Sequence, residues 1–333
     1  GEGPFDELID ALEPPAAPAG YAVLPVHPWQ VDLAGPLDAL LRDLGPAGVP
    51  LRPTASVRTL YAPHADLFVK TSLHVRITNC LRKNARYELT GAVALTRLLT
   101  GLPLPPGVAL LPEPAYRTVD APILDETYGV ILRGGLRPHL ADGETPLLAA
   151  ALTHRPLAVP DPIGWWSAYL RLLVPAVLTL WWRHGVVHEA HPQNVVVVLD
   201  AERRPVRMLL RDLEGVKLDT ARRADWLAEL PTALAYDPDR AFNRVCYCLF
   251  VNHLVELAGA LTDAEPGIEG TLWSALREIV QETSARLGDP PRLRALLAGA
   301  PLPAKGNLLV RWRRAPDRDA DYLPFPNPIG ERW

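Results

Sequence analysis

The clearest pattern of polar and apolar positions in the chain is the strict alternation along residues 67–78, LFVKTSLHVRIT. Successive side chains of a strand point to opposite faces of a sheet, so this pattern predicts one apolar face and one polar face. The polar face would carry Lys70, Ser72, His74, Arg76 and Thr78. From the alternation alone, we interpret it as the solvated side of an antiparallel sheet.

Residues 56–61 also alternate and predict the neighbouring strand, with residues 62–66 as the hairpin loop between the two strands. A one-residue change of register reverses the face that each side chain occupies. The sequence therefore leaves open whether Ser56 and Arg58 share a face with Lys70.

The remaining periodicity predicts a mixture of helices and short strands. Helical spacing recurs in the segments 5–12, 37–44, 87–99, 162–184, 241–261, 271–286 and 293–297. Strand-like segments lie at residues 128–133, at the β-branched run 195–199, and at residues 206–210 after a turn. We therefore expect an α+β fold, in which an antiparallel sheet with helices is followed by a mainly helical C-terminal part.

Composition narrows the class of protein. With 333 residues, 48% of them hydrophobic, the chain can bury a substantial core. A net charge of −4 argues against a nucleic-acid partner, which would require a broad basic face. The first residues carry no secretory signal, and the most apolar run, residues 172–182, is too short to cross a bilayer, so we expect no membrane partner and a cytoplasmic location.

The three cysteines, Cys80, Cys246 and Cys248, are too few for a disulfide framework or a four-ligand zinc site, and they predict reduced thiols. Met208 is the only methionine, so residue 1 is not an initiator. We therefore expect the chain to be a piece of a longer protein, with part of its N-terminal region missing.

Positive charge is concentrated in residues 56–86. This segment contains one acidic residue, Asp66, and six basic residues: Arg58, Lys70, Arg76, Arg82, Lys83 and Arg86. Interleaved hydroxyl groups make it a candidate site for a multiply charged anion such as a nucleoside triphosphate. No glycine-rich phosphate loop is present, so side chains would have to hold the phosphates: Arg58, Lys70 and Arg82, with Ser56 and Thr78 as neutral donors.

A second polar segment, HEAHPQN at residues 188–194, directly precedes the buried strand 195–199. The predicted hairpin would bring Asn194 near Asp212, and these oxygen ligands suit Mg²⁺ bound together with phosphate oxygens. In the alternative interpretation, Asn194 caps a turn and Asp212 pairs with a cation such as Arg211. His191 is likewise either a proton acceptor or carboxylate ligand, or a structural histidine.

Five blocks in order resemble the NRPS-independent siderophore (NIS) synthetases, the IucA/IucC family. They are HPWQ at residues 27–30, SVRT at 56–59, KTSLHVRIT at 70–78 with Arg82 beyond it, EAHPQN at 189–194, and RDLEG at 211–215. Residues 305–311 and 327–328 resemble the last segment of the family, so the resemblance covers most of the chain. Within the HPWQ block we expect a structural role, with Trp29 buried and Pro28 fixing a turn.

The resemblance implies a palm-like antiparallel sheet with helices and three regions: an N-terminal segment and linker (1–26), an ATP- and carboxylate-binding region (27–225), and a mainly helical C-terminal part (226–333). It also implies a ligase of siderophore biosynthesis and iron acquisition that uses ATP and Mg²⁺. Such enzymes adenylate a carboxylic acid, citrate or a related acid, release pyrophosphate, and pass the acyl group to an amine or hydroxyl nucleophile.

The same resemblance assigns roles to individual residues. Lys70 and Arg58 would bind phosphates, with Ser56 and Gln193 in the same nucleotide site. Arg82, Thr78 and His191 would act at the acyl substrate and the acyl-phosphate centre. Asn194 and Asp212 would bind Mg²⁺, and Glu214 and Lys305 are weaker candidates.

Only 26 residues precede the HPWQ block, where the family usually has a large N-terminal region. Either a separate N-terminal partner chain supplies the missing part, or the chain is a reduced or inactive relative, and a homodimer is a further expectation. A non-catalytic binding or partner subunit is an alternative function. The other alternative is a kinase-like phosphotransferase, because residues 184–194 followed by Asp212 resemble a catalytic loop with its metal-binding aspartate. Glu189, however, stands where that class has its catalytic aspartate.

Overall fold

A computed structural model of the chain describes residues 1–35, 39–46, 48–77, 80–122, 124–154, 159–314 and 320–330. The chain divides into two compact units. Unit 1 comprises Gly1–Gly101, Leu111–Pro138 and Leu308–Asp319, and unit 2 comprises Leu102–Leu110, His139–Asn307 and Ala320–Trp333. The functional regions predicted from the sequence, with boundaries after residues 26 and 225, remain a prediction.

The α-helices of the described residues are α1 (Phe5–Asp10), α2 (Pro28–Leu33), α3 (Arg86–Leu99), α4 (Leu124–Thr127), α5 (Ala149–His154), α6 (Pro162–His184), α7 (Ala224–Leu227), α8 (Pro238–Cys246), α9 (Val255–Ala264), α10 (Glu269–Arg286), α11 (Pro291–Leu297) and α12 (Asn307–Trp312). A π-helical segment, Tyr247–Leu254, joins α8 to α9. Single 3₁₀ turns lie at Arg137–His139, Pro192–Asn194, Leu213–Gly215 and Thr232–Leu234.

The strands are β1 (Arg52–Pro53), β2 (Thr59–Ala62), β3 (Leu67–Thr71), β4 (Leu73–Ile77), β5 (Cys80–Arg82), β6 (Val108–Leu110), β7 (Ala115–Arg117), β8 (Val130–Gly134), β9 (Thr145–Leu148), β10 (Val186–Val187), β11 (Val195–Leu199), β12 (Pro205–Leu210), β13 (Lys217–Asp219), β14 (Ala235–Tyr236), β15 (Leu302–Lys305) and β16 (Tyr322–Phe325). The predicted helices at 87–99, 162–184, 271–286 and 293–297 are confirmed as α3, α6, α10 and α11.

Unit 1 is built on a five-stranded antiparallel sheet in the order β1-β2-β3-β8-β7. Helix α1 packs Phe5 and Ile9 against Val69 on one face of this sheet. On the other face, α3 packs against Ile131, which lies directly opposite Lys70 in the ladder between β3 and β8. Both faces are therefore covered, as apolar side chains from two helices require.

The predicted solvated face of the strand at residues 67–78 is wrong for residues 67–72, whereas in β4 His74 is half-buried and Arg76 is exposed. Every residue of β3 is buried, including Lys70 at 3% exposure, because α3 covers the face that carries this lysine. The strand also ends at Ser72, whose amide donates to Gly129 O (2.8 Å) and whose hydroxyl donates to Glu126 O (2.7 Å). Beyond it, β4 pairs with β5 instead of β2, so a single alternation runs through two different sheets.

The predicted helix at residues 37–44 is wrong where the structure describes it. Residues 39–44 form a turn followed by irregular chain, and residues 37 and 38 lie outside the described residues. Leu40 and Leu44 are exposed (57% and 41%). Helical spacing of leucines gives little stability to so short a segment when the leucines remain exposed.

The HPWQ block forms the start of α2. Trp29 was expected to be its buried side chain, but Gln30 is buried instead. Trp29 is 57% exposed, while Gln30 is 1% exposed. The Gln30 amide nitrogen donates to Thr127 O (2.9 Å), and its amide oxygen accepts from His74 N (2.7 Å). Gln30 thus connects three segments of unit 1, and Pro28 occupies the first helical turn, where a missing N–H costs nothing.

Unit 2 contains a four-stranded sheet in the order β6-β12-β11-β9, antiparallel except for the β6–β12 pair. The buried helix α6 packs against β12 and α10. The predicted hairpin is confirmed, because β11 pairs with β12 in the register Val195↔Leu210. Helices α8 to α11 make the part after residue 225 mainly helical, as expected, so the α+β prediction is confirmed.

Among the described residues, two helical stretches, Pro162–His184 and Pro238–Ala264, are long and apolar enough to cross a membrane by length and composition alone. Each is 61% buried within the fold over its most apolar window, which is typical of core helices. From the sequence, the apolar run 172–182 was expected to be too short to cross a bilayer. The whole helix α6 has 23 residues, so by length alone it could do so.

We predict that Gln30→Ala destabilises the protein by about 2–4 kcal/mol, because it leaves the buried Thr127 carbonyl and His74 amide without their partner. The neighbouring change Trp29→Ala is the matched control and should cost less than about 1 kcal/mol, since that side chain is mostly exposed. Urea unfolding of both variants measures the difference. Equal losses in the two variants would contradict this account of the block.

Candidate functional site

Arg58 in unit 1 is held by the chain that follows β5. It is 8% exposed, and its guanidinium donates to Lys83 O (3.0 Å), to Arg82 O (3.4 Å) and to the Asn84 side-chain oxygen. The Asn84 amide nitrogen in turn donates to Lys70 O (3.2 Å) and Gly129 O (2.9 Å). These contacts give Arg58 a structural role in addition to any role in anion binding.

The register of β2 and β3 settles the question of faces. Thr59 lies opposite Lys70, and Thr71 N donates to Arg58 O (2.9 Å). Residues directly opposite each other share a face, so Arg58 is one residue out of phase with Lys70. Arg58 is therefore joined to the backbone of Lys70 through Asn84, and not through a shared face of the sheet.

The basic segment is less positive than the sequence indicated. Acidic residues from the region around α4 oppose two of its members: Lys83 pairs with Glu126, and Arg86 pairs with Asp120 (2.8 Å) and Asp125 (3.3 Å). Asp66, the one acid within the segment, instead accepts from the Tyr61 hydroxyl (2.7 Å) and from backbone amides at residues 136 and 137. The expectation of six basic side chains opposed by Asp66 alone is therefore wrong.

The other predicted residues of unit 1 lie in three places. Lys70 is buried in β3, Arg82 is half-buried in β5 with its guanidinium 3.3 Å from Ile77 O, and Ser56 lies in the turn before β2. The Ser56 hydroxyl accepts from the Thr59 hydroxyl (3.2 Å). Thr78 lies outside the described residues, and its role remains a prediction.

In unit 2, the hairpin β11–β12 places the predicted metal ligands at one end. Arg211 N donates to Asn194 O (3.0 Å), and the Arg211 guanidinium donates to Gln193 O (2.9 Å). Asp212 follows directly, in the left-handed region at φ +75°. The expectation that Asn194 and Asp212 lie on neighbouring chain segments is confirmed, while their binding of Mg²⁺ remains a prediction.

Two carboxylates converge on Gly215. A Cβ atom built there would lie 3.9 Å from Glu189 Oε2 and 4.0 Å from Asp212 Oδ2, so both carboxylates border the space beside this glycine. Glu189 also pairs with Arg244 of α8 (3.2 Å). The arrangement brings two acidic groups together and balances one of them with a nearly buried guanidinium.

The charges around His191 affect one another. Burial works to raise the pKa of Glu189, but Arg244, His191 and Lys217 outweigh it and hold that pKa below its ordinary value. Burial lowers the pKa of His191, against the opposing influence of Glu189 and Asp212. At neutral pH, Glu189 is therefore ionised and His191 is a neutral imidazole that can accept a proton.

Two other histidines of unit 2 are buried and neutral. Burial lowers the pKa of His188 and of His253 to about 4 each. The His188 Nε2–H donates to Arg211 O (2.9 Å), the carbonyl directly before Asp212. Because Nε2 carries the proton toward this carbonyl, the neutral ring has its lone pair on Nδ1.

Sequence reasoning missed Arg244 and His253. Both lie in the long helical stretch from Pro238 to Ala264, far along the chain from Glu189, and neither belongs to a local polar cluster. Cys246 and Cys248 in the same stretch are buried and not disulfide-bonded, as expected, and burial raises the pKa of both thiols. Lys305, a weaker candidate, lies in β15 opposite Tyr322 of β16.

Each half of the chain matches the model of a known protein family. Residues 4–154 match the model of the IucA/IucC family, and residues 164–321 match a model described as ferric iron reductase FhuF-like transporter. The rhizobactin siderophore biosynthesis protein RhbC of Rhizobium meliloti is 29% identical over 97% of this chain and 63% of its own length. Residues 4–154 thus resemble the IucA/IucC family.

Further similarities support this assignment. The L-2,3-diaminopropanoate–citrate ligase of Staphylococcus aureus is 26% identical over 94% of this chain and 61% of its own length. The ATP-bound aerobactin synthetase IucA of Klebsiella pneumoniae has the same fold, with a TM-score of 0.78 at 23% identity, over 92% of this chain and 61% of its own. The chain thus spans less than two thirds of the length of these relatives.

We predict that the stability of the protein falls as the pH is lowered from 6.5 to 4. In that interval the unfolded chain binds protons at His188 and His253, whose ordinary pKa is 6.5, while the folded protein keeps both neutral. The loss should reach up to about 3 kcal/mol for each histidine. Urea unfolding at pH 7, 6, 5 and 4.5 measures it.

The variant His188→Asn provides the control for this pH dependence. It should be less stable than the original protein at pH 7, because the Arg211 carbonyl loses its donor. Its stability should also depend less steeply on pH, since one of the two buried imidazoles is gone. Unfolding free energies that are independent of pH between 6.5 and 4 would show that these histidines are not buried in the neutral form.

Proposed function

We propose that the chain is an ATP-dependent ligase of siderophore biosynthesis, which adenylates citrate or a related carboxylic acid and condenses it with an amine or hydroxyl. The observation that carries this proposal is the similarity to a citrate ligase over 94% of the chain. The polar end of the β11–β12 hairpin supports it, because Asn194, Asp212 and a neutral His191 occur there together. Since the chain spans only part of its relatives, the complete reaction belongs to the proposal.

Lys70 and Arg58 are the residues proposed to bind the phosphates of the nucleotide. Adenylation requires neutralisation of the triphosphate, which fixed cationic groups provide without reorganisation. Lys70 and Arg58 are both nearly buried, so their charges act in a medium that screens them less than water. Ser56 is the neutral donor proposed for the same oxygens, and Arg82, with Thr78, is assigned to the acyl substrate.

Unit 2 would contribute the acid–base chemistry. In the second half-reaction the nucleophile forms a bond to the acyl carbon, the bond from that carbon to the AMP oxygen breaks, and the nucleophile loses a proton. A neutral His191 is able to accept this proton, and its pKa below the ordinary value keeps it unprotonated in the cell. The ionised Glu189 and Asp212 stabilise the imidazolium that results.

The oxygen donors at the hairpin fit a magnesium ion. Asn194 supplies an amide oxygen and Asp212 a carboxylate, and Gly215 leaves the space beside the carboxylate open. Among the described residues, no group of three or more His, Cys, Asp or Glu side chains is placed to hold a metal, so phosphate oxygens would complete the coordination. The ion would supply neutralisation of charge on the phosphates.

The same proposal includes the location and the partners. We infer a cytoplasmic enzyme whose substrates are a carboxylic acid and an amine or hydroxyl nucleophile. A homodimer or a separate partner chain completes the list of proposed partners.

The first test is release of pyrophosphate from ATP in the presence of Mg²⁺, with citrate and related acids offered one at a time. We expect release that depends on the acid and rises further when an amine or hydroxylamine acceptor is added. Release that does not depend on any carboxylate, or formation of ADP in its place, would contradict an adenylating ligase.

A matched pair of variants on one hairpin tests the site. We predict that Asp212→Asn lowers acid-dependent pyrophosphate release by on the order of 100-fold, because it removes the charge that binds the metal. Asp200→Asn changes the same residue type at the opposite end of the hairpin, where Asp200 bonds Arg204, and should leave the rate within about twofold. Comparable losses in both variants would indicate damage to the hairpin and not to a metal site.

A further inference from the structure

The long helical stretch of unit 2 changes its hydrogen-bonding pattern where it faces the polar hairpin. Helices α8 and α9 are joined by eight residues of π-helix, Tyr247–Leu254, in which each bond spans five residues. Cys248 and His253 are five residues apart, and both are close to residues 189–190: Cys248 interacts with the charge of Glu189, and His253 bonds the Ala190 carbonyl. In an α-helix, residues at this spacing would not face the same side.

His253 is the central member of a buried chain of hydrogen bonds. Its Nδ1 lies 2.8 Å from Ala190 O, and its Nε2 lies 2.6 Å from the Tyr169 hydroxyl. A carbonyl only accepts, so Nδ1 carries the proton and donates, and the neutral ring then accepts the Tyr169 proton at Nε2. The Tyr169 ring is stacked on Trp165 and Trp166 of the same helix (5.2 and 6.5 Å between centroids). Tyr169 and His253 are both 0% exposed.

We infer that His253, held by Tyr169, is a positioning residue for His191. The Ala190 carbonyl belongs to the peptide unit that joins Ala190 to His191, and a peptide unit is planar, so fixing its oxygen fixes the plane from which His191 begins. The His191 amide on the other side of the same plane donates to Glu189 O (2.9 Å). The bond to His253 therefore sets the direction of the His191 backbone without any contact to its imidazole.

The same device occurs a second time in unit 2. His188 donates to Arg211 O (2.9 Å), the carbonyl of the peptide unit that joins Arg211 to Asp212. Two buried imidazoles thus hold the peptide planes directly before the two residues to which the proposed function assigns a proton acceptor and a metal ligand. Such precision matters, because a displacement of about 1 Å at a reacting group can cost about 100-fold in rate.

Two isosteric variants separate positioning from simple stability. His253→Asn retains an amide nitrogen near the place of Nδ1, and can still donate to Ala190 O. His253→Gln retains an amide near the place of Nε2, and keeps a partner for Tyr169 but loses the bond to Ala190 O. Both replace a buried imidazole by an uncharged amide, so a merely structural role predicts similar losses for the two.

The kinetic arm rests on the proposed function and uses acid-dependent pyrophosphate release by the full chain. We expect His253→Gln to lower kcat about 10- to 100-fold with the KM for ATP within about threefold, and His253→Asn to recover most of that loss. The milder change Tyr169→Phe should lower kcat about threefold and leave the KM unchanged, because it removes only the group that orients His253. Equal kcat in the Asn and Gln variants would overturn the inference.

A second arm does not require activity. The ¹³C resonance of the His191 ring, assigned by its disappearance in His191→Asn, is followed by NMR through a pH titration. In His253→Gln we expect it to shift, and its midpoint to rise toward the ordinary histidine value as the ring leaves its buried position. In His253→Asn it should stay as in the unchanged protein. A His191 titration identical in all three proteins would overturn the positioning role, whereas a failure of pyrophosphate release alone would overturn only the proposed function.

Discussion

The pairing of β11 with β12 is the constraint on which the candidate site of unit 2 depends. All five residues of β11 are buried, so a slip of one residue would turn its side chains to the wrong faces. The fixed register Val195↔Leu210 places Asn194 beside Arg211 and leaves Asp212 at the same end. Packing of apolar valines thereby determines where the polar groups stand, although the valines take no part in chemistry.

Both units secure their polar segments with side chains that are themselves desolvated. Arg58 binds three acceptors after β5, Gln30 bridges two backbone groups, and Glu189 pairs with Arg244. A buried polar group that lacks a partner costs stability, so each of these side chains strongly favours one arrangement of its neighbours. Irregular chain is in this way held by specific side-chain contacts.

Local patterns in the sequence were enough to predict much of the fold. The β-branched run at residues 195–199 and the turn after it predicted the hairpin, and helical spacing predicted α3 and α6. The same logic failed at Ser72, where alternation continues although the strand changes its partner, and at Trp29, whose size predicted burial. Periodicity describes the faces of an element and contains no information about which partner covers them.

The candidate site was predictable in part for the same reason. Residues that are adjacent in sequence, such as those of the EAHPQN block, can be recognised as a polar cluster from the sequence alone. Acidic partners from residues 120–126 and the contributions of Arg244 and His253 arrive from distant segments, and only the tertiary fold brings them to Lys83, Arg86, Glu189 and Ala190. The count of charges along residues 56–86 consequently overstated the net positive charge of the region that these residues occupy in the fold.

The left-handed backbone at Asp212 limits which residues can replace this aspartate by mutation. At φ +75°, glycine, asparagine and aspartate are accommodated with little strain, while other side chains are disfavoured by about 1–2 kcal/mol. Among the low-strain residues only aspartate carries a charge. Replacement of Asp212 by glycine or asparagine would therefore keep the backbone at little cost but lose the anionic oxygen, whereas glutamate would keep a carboxylate and add backbone strain.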